Sequence, residues 1–138
     1  MEYLSNGVKD TYMLAEKIAA KLRGGETIVL EGGLGAGKTT FTKGLAAALG
    51  IKREVVSPTF TLVREYEGTK LKLNHFDLYR VEAEELEELG LEEYFTPDAV
   101  TVIEWNKPEV DIPGKTIRIE IEPAGENTRI FRINTEER

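Results

Sequence analysis

Cysteine is missing altogether from the 138 residues. That excludes a disulfide framework, a thiolate nucleophile and cysteine-held zinc. Histidine occurs once, at His75, and a lone histidine reads as a structural group before a catalytic one. No stretch approaches the ~18–20 consecutive apolar residues that a membrane-spanning helix needs. The opening MEYLSNGVKD has neither the basic n-region nor the apolar h-region of a secretory signal. These absences favour the cytoplasm. Positive charge is also short, with 18 Lys and Arg against 25 Asp and Glu for a net −7. Affinity for nucleic acid comes largely from neutralising phosphates, so the chain is not expected to bind DNA or RNA by itself. Repeats, linkers and low-complexity segments are absent too, and the length suits a single domain spanning 1–138.

The apolar pattern that is present predicts an α/β fold. Leu14, Ile18 and Leu22, with Ala15 and Ala19 beside them, make the apolar stripe of a helix capped by Asp10 and ended by Gly24-Gly25. TIVLE (27–31) reads as a buried strand. TTFTKGLAAALG reads as a helix stopped by Gly50. TLVREYE (61–67) and KLKLNHFD (70–77) alternate with period two around Gly68-Thr69, which predicts a hairpin. AEELEELG (83–90) suggests a short acidic helix, and the LEEYFTPD that follows is irregular. AVTVIEW (99–105) is a second buried strand. TIRIEIE and TRIFRI around PAGEN (123–127) predict another hairpin. The whole reads as buried strands with helices, plus antiparallel hairpins at an edge.

Between the first buried strand and the second helix lies Gly32-x-x-x-x-Gly37-Lys38-Thr39. This is the full phosphate-loop pattern in the strand–loop–helix context that the pattern requires. Glycines let successive N–H groups point inward at phosphate oxygens. The helix N-terminus adds positive potential. The Lys38 ammonium reaches the terminal phosphates, and the Thr39 hydroxyl ligates Mg²⁺. The expected cofactors are therefore a nucleoside triphosphate and Mg²⁺.

Two further acids end apolar runs. Glu104 closes VTVIE and Asp77 closes LNHFD. Either can serve the metal or orient the attacking water, and the pattern does not say which. SPTFT (57–61) supplies three hydroxyls that can order around a γ-phosphate, as switch segments do; it also reads as a Ser-Pro turn entering a strand. Arg80 and Trp105 stay open between site and scaffold. Asn106-Lys107-Pro108-Glu109 approaches the guanine-reading Asn-Lys-x-Asp, but Glu stands where Asp is needed. A GTPase-like switch, a small-molecule kinase and a non-enzymatic nucleotide-dependent module remain as alternatives. A kinase needs a lid and more arginines than Arg53, Arg64 and Arg80 supply between the second helix and the final hairpin.

With GGLGAGKTTF, SPTFTLV, HFDLYR, ELEELGLEEYF and IEW in order, the chain resembles the TsaE (YjeE) family from about Thr11 to Trp105. These are bacterial P-loop ATPases needed to make threonylcarbamoyladenosine next to the anticodon of certain tRNAs. The resemblance implies a P-loop NTPase-like three-layer fold with a mainly parallel sheet. It implies that Leu34, Gly35, Ala36, Gly37, Lys38, Thr39 and Thr40 wrap the phosphates of ATP, and that Thr39 and Glu104 hold Mg²⁺. Asp77 is implied to lie beside the metal, acting through water or on the nucleophile, so that Lys38, Asp77 and Glu104 form the catalytic set. Trp105 and the start of the first helix, near Asp10 and Thr11, are implied to lie by the nucleotide. Ser57, Pro58 and Thr59 would form a switch-like loop, and Tyr79 and Arg80 would couple to partners. Those partners are TsaD, which transfers the threonylcarbamoyl group, and its scaffold TsaB. ATP would reset their complex between turnovers, with hydrolysis slow in the isolated chain. Gly33 departs from the Asp of many relatives, and the region after Trp105 matches weakly.

Overall fold

The computed structural model describes residues 1–33, 35–58 and 62–137. The chain runs β1 (Glu2–Ser5), α1 (Val8–Ala19), β2 (Thr27–Glu31), α2 (Lys38–Ala48), β3 (Val63–Glu67), β4 (Lys72–Asp77), β5 (Ala99–Glu104), β6 (Lys115–Pro123) and β7 (Arg129–Glu137). Short 3₁₀ turns at Ala83–Glu85, Glu87–Leu89 and Leu91–Tyr94 lie between β4 and β5. One sheet holds all these strands in the order β1-β7-β6-β2-β5-β4-β3. Its centre, β6-β2-β5-β4, is parallel. β3 runs against β4 at one edge, and β7 against β6 and β1 at the other.

The α/β class is as expected, with a correction to the hairpins. They sit at opposite edges, not together, and each lends one strand to the parallel centre. The cause lies in β2, where Thr27 to Leu30 are all buried. A strand buried on both faces and both edges needs partners on each side, and β5 and β6 provide them.

The two faces are covered unequally. α1 and α2 lie on one face, where Leu14, Phe41 and Leu45 pack on Ile28, Val102, Ile119 and Phe131. Each such fully buried side chain contributes about 1.5–3 kcal/mol. The helices approach closely at Gly44, where an added Cβ would fall 2.8 Å from Tyr12 Cδ1 and 3.1 Å from Ala15 Cβ. The other face carries Val29, Phe76 and Ile103 and is covered by Leu86 and Leu91 of the 3₁₀ segment. Tyr94 closes this layer edge-on to Phe76 at 4.9 Å.

Three local expectations are corrected. α1 begins at Val8 with Gly7 as its N-cap. Asp10 sits in the first turn and accepts the Asn6 backbone N–H at 2.8 Å, so it serves the helix start from inside. α1 also ends at Ala19, where Lys21 and Leu22 donate to Ile18 and Ala19 in a tightened last turn ahead of the glycine pair. The acidic segment forms 3₁₀ turns in place of an α-helix. Gly90, at φ 63, breaks the run after seven residues, and Leu86, Leu89, Leu91 and Tyr94 are spaced to cover a sheet, not to make a 3.6-residue stripe. The chain also has a strand the sequence did not announce, β1, with Tyr3 opposite Phe131. Among the described residues no helix is long and apolar enough to cross a membrane.

Candidate active site

Parallel strands end at the same side of a sheet, and ligands of open α/β sheets bind there. β2, β4 and β5 all deliver their C-terminal ends to one place. Asp77 and Glu104 are register partners on adjacent strands, and Leu30 pairs with Glu104 on the other side. β2 then runs into the glycine loop. Gly35 at φ 76 and Gly37 at φ 111 hold left-handed conformations that a side chain would strain, and Gly37 is the N-cap of α2. The hollow so formed measures about 310 Å³. Gly35 to Thr40, Ser57, Asp77, Glu104, Trp105 and Arg129 line it.

Lys38 is the cation at its centre and is buried. Its Nζ donates to the Gly32 carbonyl oxygen at 2.8 Å and lies 3.6 Å from the Trp105 ring centroid. Burial pushes the ammonium below its ordinary pKa, and the negative charges of Glu104 and Asp77 act the other way. Trp105 reaches the lysine because its own backbone is left-handed, at φ 57. For a non-glycine residue that costs about 1–3 kcal/mol, and it turns the ring back over the strand end. Tyr79 packs edge-on to Trp105 at 4.9 Å and is 56% exposed.

The two acids are buried and held by bonds of their own. Asp77 Oδ1 accepts the Tyr79 backbone N–H at 2.9 Å. Glu104 Oε2 bonds His75 Nε2 in the interior. The oxygen ligands facing the hollow are hydroxyl and carboxylate groups, and among the described residues no group of three or more His, Cys, Asp or Glu is arranged to hold a metal by itself. That set fits Mg²⁺, which is commonly held by one or two carboxylates with substrate phosphates completing its octahedron.

The structure brings together most of the expected residues. Lys38, Thr39, Thr40, Asp77, Glu104, Trp105 and Ser57 share the hollow, and Tyr79 joins through Trp105. Pro58 is buried behind Ser57, its carbonyl accepting the Leu62 N–H at 2.8 Å. Arg80 is exposed on the turn after β4. Thr11 is buried against Ser5, Oγ to Oγ1 at 2.8 Å. It lines a smaller adjoining hollow of about 110 Å³ together with Gly37, Thr40 and Asn127. Asp10 turns back to Asn6, as described above. Leu34 and Thr59, with Phe60 and Thr61 of the hydroxyl segment, lie outside the described residues.

Two contributors went unread in the sequence. Arg129, at the start of β7, donates from Nε to the Ala36 carbonyl oxygen at 3.0 Å and lines both hollows. Tyr66 of β3 meets Val56 with its hydroxyl, 3.1 Å from the N–H and 3.3 Å from the carbonyl oxygen, and so pins the segment that carries Ser57. The signal for Arg129 is a lone cation opening a strand directly after a turn. For Tyr66 it is the single aromatic of β3. A larger groove of about 890 Å³ lies at the far ends of α1 and α2, beside Thr69 and Leu71. It lacks the glycine loop and the convergent acids.

A P-loop NTPase-like fold, with a glycine loop, a buried lysine and paired acids at parallel strand ends, is the class these features define. A solved structure of Bacillus subtilis YdiB superposes with a TM-score of 0.81 at 37% identity, covering 99% of this chain and 85% of that one. Residues 5–131 match the family "Threonylcarbamoyl adenosine biosynthesis protein TsaE", and the chain belongs to that family. The TsaE of Aquifex aeolicus is 48% identical over 96% of this chain and 94% of its own length. That of Bacillus subtilis is 47% identical over 88% of this chain and 77% of its own length. The family match runs well past Trp105, to the residues around Arg129 and Phe131.

Proposed function

We propose that the chain is a Mg²⁺-dependent ATPase. On this reading it binds and slowly hydrolyses ATP as an accessory of the TsaD–TsaB complex that makes threonylcarbamoyladenosine in tRNA. The observation that carries the proposal is Lys38, buried in the glycine loop across from Asp77 and Glu104. An ammonium held among loop carbonyls and aromatic ring is matched to an incoming polyphosphate. Thr39 and Glu104 would hold Mg²⁺, which would supply neutralisation of charge on the terminal phosphates. The backbone N–H groups of Gly35 to Thr40 bind and orient the phosphates. Asp77, fixed by the Tyr79 N–H, accepts a proton from or orients the attacking water. Thr11 and the adjoining hollow border the nucleoside side.

Slow turnover alone and coupling to partners have a physical basis. Trp105 covers the lysine, and Tyr79 covers Trp105 while exposing more than half its surface. A protein contacting Tyr79 and Arg80 therefore reaches the lysine through one ring. Ser57 to Thr59 would add a second contact sensitive to the γ-phosphate. Pathway membership rests on the relatives, whose names place them in threonylcarbamoyladenosine biosynthesis. A protein of this kind is expected in the cytoplasm.

The test is multiple-turnover tRNA modification with TsaD and TsaB. Adding this chain with ATP and Mg²⁺ should sustain turnover, and Lys38→Ala should abolish that effect while the fold is kept. Full activity from Lys38→Ala would refute the proposal. Competition between ATP and GTP excludes or restores the GTPase-like alternative, and phosphate transfer to a metabolite would restore the kinase.

A further inference from the structure

The single histidine is not used by the scheme above, and its environment is unusual for a filler of the core. His75 is fully buried on β4, two residues before Asp77 and on the same face. Its Nε2 bonds Glu104 Oε2, whereas its Nδ1 is buried with no hydrogen-bond partner among the described residues. A carboxylate oxygen accepts, so Nε2 donates this bond. Leaving a buried polar nitrogen unpaired has a cost, and an apolar residue of similar volume would avoid it. The ring is therefore arranged around one bond, the bond to Glu104.

We propose that His75 is a positioning residue that fixes one carboxylate oxygen of Glu104 so that the other is presented to the nucleotide-bound Mg²⁺. This rests on the ATPase reading above. Lys38 and Glu104 carry opposite charges and line the same hollow. An untethered carboxylate there is drawn onto the ammonium, which would occupy both the phosphate-binding and the metal-binding group at once. Donation from Nε2 holds Glu104 at the wall. β4 and β5 are hydrogen-bonded neighbours in which His75 pairs with Val102 and Asp77 with Glu104, so the ring reaches Glu104 diagonally across a rigid ladder. Outer partners of this kind that orient metal-binding groups typically affect affinity by ~10–100-fold.

The test reads metal binding directly. Mn²⁺, which takes the same oxygen ligands, is titrated by electron paramagnetic resonance into protein saturated with ADP. His75→Leu should weaken Mn²⁺ by about 10–100-fold, while ADP affinity in EDTA is unchanged. His75→Gln, whose amide nitrogen reaches the place of Nε2, should recover most of the loss. In a Glu104→Gln background His75→Leu should have no further effect, since the carboxylate it positions is gone. Wild-type Mn²⁺ affinity in His75→Leu, equal losses in the Leu and Gln variants, or additive losses with Glu104→Gln would each overturn the proposal. Should His75→Leu fail to fold, His75→Asn replaces it, because its shorter amide stops at the place of Nδ1. Asn weak and Gln strong supports positioning, and equal affinities refute it. A Glu104→Gln variant that binds Mn²⁺ like wild type refutes the metal role of Glu104 and the histidine's role together, whereas normal dependence on Glu104 without any effect of His75 overturns the histidine alone.

Discussion

Arg129 shows what a single side chain adds from far along the chain. It bonds the Ala36 carbonyl across a separation of 93 residues, holding the glycine loop from the β7 side. A charge-assisted bond of this kind is worth about 1.5–3 kcal/mol. Arg129→Ala is therefore expected to weaken ATP about tenfold or more, read by calorimetric titration. Arg129→Lys should recover little, because a lysine cannot donate from a planar fork along the loop. Unchanged affinity in Arg129→Ala would remove the arginine from the site. The contrast with the acids explains what the sequence could tell. Glu104 and Asp77 were legible because an acid closing an apolar run marks a strand end. Lys38 was legible because its motif is local. His75, Tyr66 and Arg129 act through contacts 29, 10 and 93 residues away, and no spacing rule reports such pairings.

At the scale of elements, the α1–α2 contact is the most exposed to a small change. Gly44 faces Tyr12 and Ala15 at distances where a side chain must displace its neighbours. A valine there adds bulk without alanine's gain in helix propensity. Overpacking of this sort costs about 1–3 kcal/mol, so Gly44→Val is expected to lower stability by that order in chemical denaturation. Because α2 carries Lys38 at its other end, nucleotide affinity should fall with it. Stability equal to wild type would show that the helices can part freely. The sequence announced β2, β5, α2 and both hairpins, since their periodicities match their burial. It misread the acidic segment because leucines three residues apart, Leu86 and Leu89, look helical until Gly90 is seen to be left-handed. β1 was hidden for another reason. A strand of four residues carries too little alternation to be distinguished from a loop, and it is defined by its partner β7.

For the whole molecule, the net charge of −7 sets what can approach it. Phosphate-driven affinity requires local cations, and on β6 and β7 the half-buried Arg132 is already bound to Glu2, Glu120 and Glu122 and Arg118 to Glu136. Electrophoretic mobility assays with tRNA and this chain alone, at moderate salt, are expected to show no shift; a salt-sensitive shift would place the chain on the tRNA itself. Strand order was not legible at this scale. Which strand lies beside β2 depends on faces buried on both sides, and period-two patterns fix a face but not a neighbour. That order has a mechanical result. Asp77 and Glu104 face each other on one rung of the β4–β5 ladder, with backbones set about 4.8 Å apart by the strand spacing. Lys38 instead opens α2, which follows β2 through the glycine loop and packs on the sheet. The site thus has one side set by the hydrogen-bonded sheet and the other by the loop and helix. A ligand seated between them meets acids whose spacing the ladder sets and an ammonium whose position the loop and helix set, so the two sides of the site are fixed independently.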